Sequence, residues 1–396
     1  MSKGKVKKSW KERLRERQIK YQRILESHRA RVERRIVEQK SKIRKRLRII
    51  MPLCLFAIIL VVIYSAGHYS KPPAMSNTGQ ETNQNTQGES ASFSPYIYIW
   101  PDGRIEPSNA PLLMVNNSYY KFTGNASLPI IVLKDNITID GAGYYVVGTQ
   151  TYGSRGIDIS YRKNVTVVNI KVIGFDYAVY MDQTSNSNVL ESEFTSNYCG
   201  VWISRSSFIN ISSNRIYENR GYALWMKNST NNIISWNTIT RHSNYTIYIG
   251  YSSNNTIKHN TIANNRLGLF LYSSTCNIIA CNNITKNYEG VHLLYSSENQ
   301  ITFNDIVDND VGIGSSESSN NKVYYNNFIN NVVCVNVQNS TDIWDDGVSK
   351  GNYWSDYLDK NPNAERLNEV WNTPYVINES NQDNYPLTAP IKTKII

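Results

Sequence analysis

The 396-residue sequence has few of the residues that build disulfides or metal centres, with 5 Cys, 5 His and 6 Met. Cys54 lies in an apolar run, and the remaining cysteines are Cys199, Cys276, Cys281 and Cys334. The repeat described below separates these four by more than the ~7 Å between Cα atoms that a disulfide allows. We therefore predict no disulfide and expect each cysteine to be a small apolar filler. The histidines form no close cluster with Cys or Met, so we expect no metal ion and no cofactor.

Negative charge is scarce in residues 1–48, which contain twenty Lys or Arg, five Glu and no Asp. This segment carries +15 of a whole-chain net charge of +10, which leaves −5 for the remainder. The high pI therefore gives no reason to expect nucleic acid binding by the rest of the chain. We predict that residues 1–48 form a basic helical segment attracted to anionic lipid.

Charged residues are absent from Ile49–Gly67. About 20 apolar residues suffice for a helix to cross a bilayer, and the basic flank places the N-terminus in the cytoplasm. Ser65, Ala66 and Gly67 would permit cleavage, but a 48-residue basic leader is far longer than that of a signal peptide. We predict an uncleaved signal anchor over 49–67, a flexible polar linker over 68–95, and a single-pass cell-membrane protein with an extracellular domain.

A repeat of 22 or 23 residues organises the chain from Gly156 onward. It is marked by short apolar triplets: Ile157–Ile159, Val179–Met181, Val201–Ile203, Leu224–Met226, Ile247–Ile249, Leu269–Leu271, Val291–Leu293 and Val335–Val337. An alternating apolar pattern at this period is typical of a solenoid built from strands, whereas helical repeats need roughly 33 residues or more.

Two further apolar columns keep the same period. One is Val165, Val189, Ile211, Ile234, Ile257, Ile279, Ile301, Val323; the other is Ile170, Phe194, Ile216, Ile239, Ile262, Ile284, Ile306, Phe328. Three short strands per coil predict an all-β fold, a parallel β-helix with one apolar core. Asn columns follow the strands: Asn214, Asn237, Asn260, Asn282, Asn304, Asn326 and Asn197, Asn219, Asn265, Asn287, Asn309, Asn331. We expect these Asn to adopt the left-handed turn conformation and to hydrogen-bond between coils.

Both ends of a solenoid expose core and strand edges, so each needs a cap. We predict an N-terminal cap and entry coil over 96–155, the repeats over 156–340, and an aromatic cap and tail over 341–396.

The middle residue of each triplet should point outward, because side chains alternate along a strand. In five consecutive coils that residue is aromatic, and with the next coil these positions form the candidate ligand-binding set: Tyr180, Trp202, Trp225, Tyr248, Phe270 and His292. We call this set the aromatic stripe. Flat rings exposed to solvent would suit stacking against sugars. The alternatives are a self-stacking ladder that stabilises the sheet and a docking face for a protein.

Carboxylates that could act in catalysis are few. Glu191, Glu193 and Asp305 are weak candidates, since a hydrolase needs two facing carboxylates and a lyase needs a calcium site with a nearby base. None stands beside the stripe with a His or Arg partner, and ordinary solvated carboxylates explain them as well. We recognise no complete catalytic constellation.

The repeats resemble a known family. The segment 290–306, with Gly290-Val291-His292-Leu293-Leu294-Tyr295, is similar to NosD-like right-handed parallel β-helix proteins, also grouped as carbohydrate-binding and sugar-hydrolase repeats. The opening 98–103, the step 135–141 and the closing 351–357 resemble archaeal surface members of that family. The likeness covers about residues 96–390 and implies right-handed coiling and a location outside the membrane. The copper role implied by the family name gains little support from the scattered histidines.

These observations favour a membrane-anchored extracytoplasmic β-helix that binds cell-surface or environmental polysaccharide through the aromatic stripe. A polysaccharide lyase, hydrolase or epimerase is the first alternative, by analogy with other β-helices. A structural surface-layer component without a small ligand is the second.

Overall fold

The computed structural model describes residues 95–392. The predicted basic segment, signal anchor and all but the last residue of the linker lie outside this range. Within it, no helix has the length and apolar character needed to span a bilayer.

Three sheets run along the domain, and each full coil contributes one strand to each sheet. Sheet 1 has twelve strands: Ile105–Glu106, Ile97–Ile99, Ile130–Val132, Arg155–Asp158, Tyr177–Asp182, Cys199–Ser204, Tyr222–Lys227, Tyr245–Gly250, Leu267–Tyr272, Glu289–Leu294, Val311–Ser316 and Val333–Gln338. Sheet 2 also has twelve: Leu112–Asn116, Tyr119–Phe122, Ile137–Asp140, Val165–Val168, Asn188–Leu190, Asn210–Ser212, Ile233–Ser235, Thr256–Lys258, Ile278–Ala280, Gln300–Thr302, Ser319–Tyr324 and Thr341–Ile343.

Sheet 3 has ten strands: Tyr145–Val147, Lys171–Ile173, Glu193–Thr195, Arg215–Tyr217, Thr238–Thr240, Thr261–Ala263, Asn283–Thr285, Asp305–Val307, Asn327–Ile329 and Tyr353–Trp354. Beyond the coils lie a short helix, Tyr357–Lys360, and two antiparallel pairs, Arg366–Leu367 with Val370–Trp371 and Tyr375–Asn378 with Asn381–Asp383. The predicted parallel β-helix is confirmed, and parallel pairing already begins between Ile97–Ile99 and Ile130–Val132.

The strand register follows the apolar columns except in the first coil. There Val189 pairs with Val167 and Phe194 with Val172, so the expected first members Val165 and Ile170 were wrong by two residues. Val165 and Ile170 are nevertheless buried, one at the start of a strand and the other at the turn that follows it. Inward residues such as Ile257 are fully buried. Each contributes about 1.5–3 kcal/mol relative to exposure.

The Asn columns form continuous hydrogen-bonded ladders inside the corners. In Asn282, for example, the backbone N–H and side-chain Nδ2 both donate to Oδ1 of Asn304, at 2.9 and 3.0 Å. Its Nδ2 also donates to the Ile257 carbonyl at 2.9 Å. A third Asn ladder and a Ser ladder were not predicted: Asn232, Asn255, Asn277, Asn299, Asn321 and Ser206, Ser229, Ser252, Ser274, Ser296, Ser318.

We expected the ladder Asn to adopt the left-handed conformation at each corner. In the structure, the residue before it adopts that conformation instead. Ser213, Trp236 and Cys281 take φ of 58°, 59° and 56° and precede Asn214, Asn237 and Asn282. The ladder amide must point inward to reach two coils, so the preceding residue turns the chain and faces solvent. Asn tolerates this turn best, yet bulky residues occupy several such positions here.

The cysteines also divide into buried residues and residues at solvent-facing corner positions. All four in the described range are free, and Cys199 and Cys334 are buried. Cys276 is exposed and Cys281 half-buried, both at left-handed corner positions, so the expectation of an apolar filler was wrong for these two.

The C-terminal cap closes the core with aromatic rings. Trp354 stacks on Phe328 of the last coil at 4.3 Å between ring centroids, and Tyr375 stacks on Trp354 at 4.0 Å. The buried carboxylate of Asp383 accepts hydrogen bonds from Trp354 Nε1 at 2.8 Å and from the Asn352 N–H at 2.7 Å. Burial raises the pKa of Asp383 to about 7, although these donors oppose the shift.

Candidate functional site: the aromatic stripe and the charged cleft

The aromatic stripe lies on the outer face of sheet 1, one residue per strand. Direct pairing links Tyr180 to Trp202, Trp202 to Trp225, and Trp225 to Tyr248. The same register continues through Phe270 to His292. Parallel strands lie ≈ 4.8 Å apart, so the stripe offers one side chain per step along the solenoid axis.

The rings of the stripe stack on one another. Trp202 and Trp225 have centroids 3.6 Å apart and planes 10° apart. Tyr180 stacks on Trp202 at 6.1 Å, and Tyr248 stacks on Trp225 at 5.5 Å. Ring faces therefore turn toward neighbouring rings and ring edges turn outward. This geometry is that of the self-stacking ladder, which the sequence left open beside flat exposed platforms.

Most of the stripe is half-buried, and one member is buried. Phe270 is only 8% exposed, so its expected exposure was wrong. The Tyr245 ring stacks on it at 4.9 Å, and Tyr248 and His292 approach it at 5.8 and 5.4 Å. Residues on both sides thus enclose Phe270, whereas the rings from Tyr180 to Tyr248 keep partly exposed edges.

Three tyrosines flank the stripe, each three residues earlier in its strand, and Cys199 holds this position between the first two. Tyr177 contacts Trp202 edge-on at 4.9 Å, and Tyr222 stacks on Tyr245 at 6.3 Å. Burial raises the pKa of Tyr177 to about 12, so its hydroxyl stays neutral near pH 7 and can donate or accept a hydrogen bond. The sequence signal was visible, since Tyr177, Tyr222 and Tyr245 share one register position.

Ion pairs border the first coils of the stripe. The Arg155 guanidinium lies 3.7 Å from the Tyr180 ring centroid and pairs with Asp158 at 2.6 Å. After the Trp202 strand, Arg205 Nε donates to Asp182 Oδ1 of the preceding coil at 3.0 Å. Arg155 thus covers the free end of the stacked rings, whereas Arg205 lies at the turn that follows the Trp202 strand.

At the C-terminal end of the stripe, His292 pairs with Glu289. His292 Nδ1 lies 2.7 Å from Glu289 Oε1. Both side chains lean over Gly314, where an added Cβ would come within 2.0 Å of that Glu289 oxygen. The glycine is thus required for close approach, and the aromatic series stops at this coil.

One donor of the stripe has no acceptor. Trp202 Nε1 is buried and finds no hydrogen-bond partner among residues 95–392. A buried unpaired N–H costs about 1–3 kcal/mol, so the centre of the stripe keeps unused hydrogen-bonding capacity.

The acidic candidates lie away from the stripe. Glu191 and Glu193 line one cleft of about 160 Å³ between sheets 2 and 3, together with Lys171 and Arg215. The Tyr217 hydroxyl donates to Glu193 Oε1 at 2.5 Å, and the Arg215 guanidinium lies 4.7 Å from the Tyr217 ring. We call this the charged cleft. The structure thus brings two candidate carboxylates together and adds two cations that sequence reasoning had not linked to them.

Asp305 does not join them. It lies in sheet 3, and successive pairings place it five strands from Glu193. At ≈ 4.8 Å per strand this is roughly 24 Å. Asn327 Nδ2 donates to Asp305 Oδ1 at 2.6 Å.

The described histidines are dispersed. His242 is a buried rung of an Asn ladder, and burial lowers its pKa to about 4. The His259 ring stacks on Trp236 at 4.3 Å in another corner. Within the described range, no group of three His, Cys, Asp or Glu side chains is placed to share a metal ion.

Comparison with protein families gives one match to this domain. The family model described as "Periplasmic copper-binding protein (NosD)" matches residues 115–283 and 264–358. Together these ranges cover more than half of the chain. A comparison with curated proteins found no match.

Solved structures resemble the domain in fold. A mutant of the periplasmic alginate epimerase AlgG is 21% identical and matches over 56% of this chain and 66% of its own, with a TM-score of 0.42. The A-module of a mannuronan C-5 epimerase from Azotobacter vinelandii is 14% identical over 56% and 76%, with a TM-score of 0.39. The DFA-IIIase from Arthrobacter chlorophenolicus A6 is 12% identical over 54% and 58%, with a TM-score of 0.44. The chain thus spans just under two thirds of the first of these.

Proposed function

This chain belongs to the NosD family, and from that premise we propose that it is an extracytoplasmic β-helix protein that binds polysaccharide along the aromatic stripe. The family is described as periplasmic, which fits a domain outside the cytoplasm. The proposal rests on one observation above all, the continuous file of half-exposed rings on a single face.

The outer faces of the other two sheets are mixed in character. They carry polar residues such as Asn188, Thr238 and Asn283, with Ile233 and Ile278 among them. A continuous file of aromatic rings differs from such single exposed residues, and a contiguous exposed apolar surface usually marks a binding site. Edge-on rings and neutral tyrosine hydroxyls offer apolar contact and hydrogen bonds at once, and a linear sugar polymer presents both kinds of surface.

The regular spacing supports a polymer rather than a small sugar. A chain that lies along the solenoid axis would meet one ring per coil from Tyr180 to Tyr248, with Arg155 at the Tyr180 end. Many weak contacts in register would then add, because the second and later contacts are intramolecular.

Retention of the purified protein by immobilised polysaccharides, together with release of new sugar ends, tests the proposal. The matched control is Trp236→Ala, which removes an exposed tryptophan from a corner far from the stripe. We expect retention of wild type and of Trp236→Ala, and at least tenfold weaker retention of Trp202→Ala/Trp225→Ala. Equal retention of all three folded proteins, or none by wild type, would contradict the proposal.

Catalysis on polysaccharide is a second candidate, and the charged cleft favours it. Two carboxylates beside a lysine and an arginine supply the groups that acid–base chemistry on sugars needs. New sugar ends that disappear in Glu193→Gln but persist in Asp305→Asn would support it. Retention without new ends would leave binding as the function.

Copper, named in the family description, does not fit the described residues. The soft and imidazole ligands that copper prefers are dispersed: His242 is enclosed by ladder amides and His259 is stacked on Trp236. No step of the proposed function depends on a metal.

A further inference from the structure

We propose that the Leu112–Phe122 hairpin at the N-terminal end of the solenoid is a membrane contact that rests on the surface of an anionic lipid bilayer. The Leu112–Asn116 strand is the outermost strand of sheet 2 and pairs with Tyr119–Phe122. Leu112 is buried, but Leu113, Met114 and Val115 are 54%, 44% and 54% exposed. Three consecutive exposed apolar residues on an edge strand are what soluble proteins avoid.

The opposite end of the same sheet shows how an edge is normally protected. There the Asp342 N–H donates to Asn381 Oδ1 at 2.9 Å, and Asn381 Nδ2 donates to the Ser340 carbonyl at 3.0 Å. The cap strand Asn381–Asp383 therefore covers that edge. Within residues 95–392, no strand pairs with the outer edge of Leu112–Asn116. The N-terminal edge thus needs a partner from outside the described domain.

Position along the chain points to lipid as that partner. The described domain begins at residue 95, and its first strand, Ile97–Ile99, belongs to the same end of the stack as the hairpin. The uncharged run Ile49–Gly67 is predicted to cross the bilayer, and 27 residues separate its end from residue 95. The hairpin therefore belongs to the end of the domain that the predicted anchor tethers. The inference depends on that anchor and not on polysaccharide binding.

Two lysines lie on or beside the hairpin, and the nearby Asp140 carboxylate is engaged by the Tyr119 hydroxyl at 2.5 Å. Lys121 pairs directly with Leu113 across the two strands and is exposed. Lys134 Nζ and Met114 Sδ lie 3.4 and 3.3 Å from the position of a Cβ on Gly103, so they neighbour one another. Lys134 Nζ also donates to Asn117 Oδ1 at 3.1 Å, which leaves Lys121 as the hairpin's own exposed cation. Lysine can lay its apolar stem along such a surface while its ammonium meets phosphate. A second copy fits less well, because one five-residue strand falls far below the ≈ 800 Å² per partner of a stable interface.

Photo-crosslinking of the full-length protein tests the contact. The protein is placed in nanodiscs of phosphatidylcholine and phosphatidylglycerol that contain a phospholipid with a photoactivatable diazirine near its headgroup. Lipid adducts are then mapped by mass spectrometry. We expect adducts on the 112–122 segment, reduced at least several-fold in Leu113→Asp/Val115→Asp. The control Val348→Asp changes an equally apolar residue, 77% exposed at the opposite end, and should leave the yield unchanged.

Three outcomes would overturn the proposal. Adducts confined to residues before 95 would show that the hairpin does not reach lipid. Protein–protein crosslinks through 112–122 would identify a second copy as its partner. Failure of the full-length protein to enter nanodiscs would remove the anchor on which the argument depends. Loss of polysaccharide binding, by contrast, has no bearing on the adduct yield, so the two proposals fail separately.

Discussion

The Asn ladders and the aromatic stripe are both columns with one residue per coil, but the ladders point into the corners of the solenoid and the stripe lies on the outer face of sheet 1. A ladder Asn makes several hydrogen bonds inside the corner and is almost fully buried, as Asn282 is at 1% exposure. A stripe residue such as Trp225 stacks on its neighbours and keeps an exposed edge. The ladder satisfies backbone groups that the fold cannot leave unpaired, whereas no backbone group depends on the stripe. The comparison separates what the fold requires from what remains free for function.

Removing a ladder rung should have the largest effect. Asn282→Ala leaves the Ile257 carbonyl and the Asn260 N–H without their partners. Unpaired buried groups cost about 1–3 kcal/mol each, so we expect the free energy of unfolding to fall by roughly 3–5 kcal/mol in chemical denaturation. The adjacent Asn283 points outward and is exposed, and Asn283→Ala should change it by less than about 0.5 kcal/mol. Equal losses in both variants would contradict the division between ladder and surface.

One rung of the ladders can titrate, because His242 occupies a position that is Asn in the neighbouring coils. This rung tests how much stability a ladder position contributes. Its pKa falls from 6.5 to about 4 on folding, so the folded state binds fewer protons than the unfolded state between these values. Stability from this group is complete above pH 6.5 and is lost as pH falls toward about 4, by roughly 3 kcal/mol in all. His242→Asn should abolish this loss, measured as the difference from wild type in urea unfolding at several pH values. An unchanged pH profile would contradict it.

The cap carboxylate should act in the opposite direction. The pKa of Asp383 rises from 3.8 to about 7 on folding, so its contribution is present at low pH and is lost as pH rises through about 7. The total is roughly 4 kcal/mol. Between pH 4 and 7 the Asp383 and His242 contributions change in opposite directions, so in wild type they largely offset each other. In Asp383→Asn the His242 contribution is no longer offset, and stability should rise with pH over this range. A variant whose stability depends on pH as it does in wild type would contradict this assignment.

Removing a stripe ring should affect stability less than removing a ladder rung. Trp225→Ala loses the stacked contacts with Trp202 and Tyr248, worth about 0.5–1.5 kcal/mol each beyond apolar burial. We expect a loss of roughly 2–3 kcal/mol with far-ultraviolet circular dichroism unchanged. A loss as large as that of Asn282→Ala would mean that the stripe is primarily structural.

The smallest effect concerns a corner position with a bulky left-handed residue. Phe208 has φ of 57° and is 58% exposed, while its neighbours in the same file are Asn186 and Asn231. Because Asn tolerates this conformation better, Phe208→Asn should raise the free energy of unfolding by up to about 1 kcal/mol. The reverse change, Asn231→Phe, should lower it by a similar amount. A destabilised Phe208→Asn would show that the ring makes a contact worth more than the strain.

The sequence predicts the coil, its period and two of the ladders because each is a column of chemically similar residues at a fixed spacing. The sequence does not predict features that depend on the orientation of side chains. Trp202 and Trp225 stack face to face and do not lie flat on the sheet. This arrangement depends on side-chain rotation, which the spacing of residues in the sequence does not encode. The charged cleft escaped detection for a related reason, since Lys171, Glu193 and Arg215 belong to three different coils and meet only through strand pairing. The Ser ladder was missed because serine is equally common in turns.

The continuous ladders have a consequence for the length of the molecule. Each inner rung receives hydrogen bonds from the coil before it and gives the same bonds to the coil after it, until Asn352 receives the last ones from Asn326. Any coil therefore presents nearly the same upper and lower surface as any other. Duplicating or deleting one unit would leave both seams chemically matched. The length of the solenoid is therefore set by the number of coils, and the two caps stay unchanged.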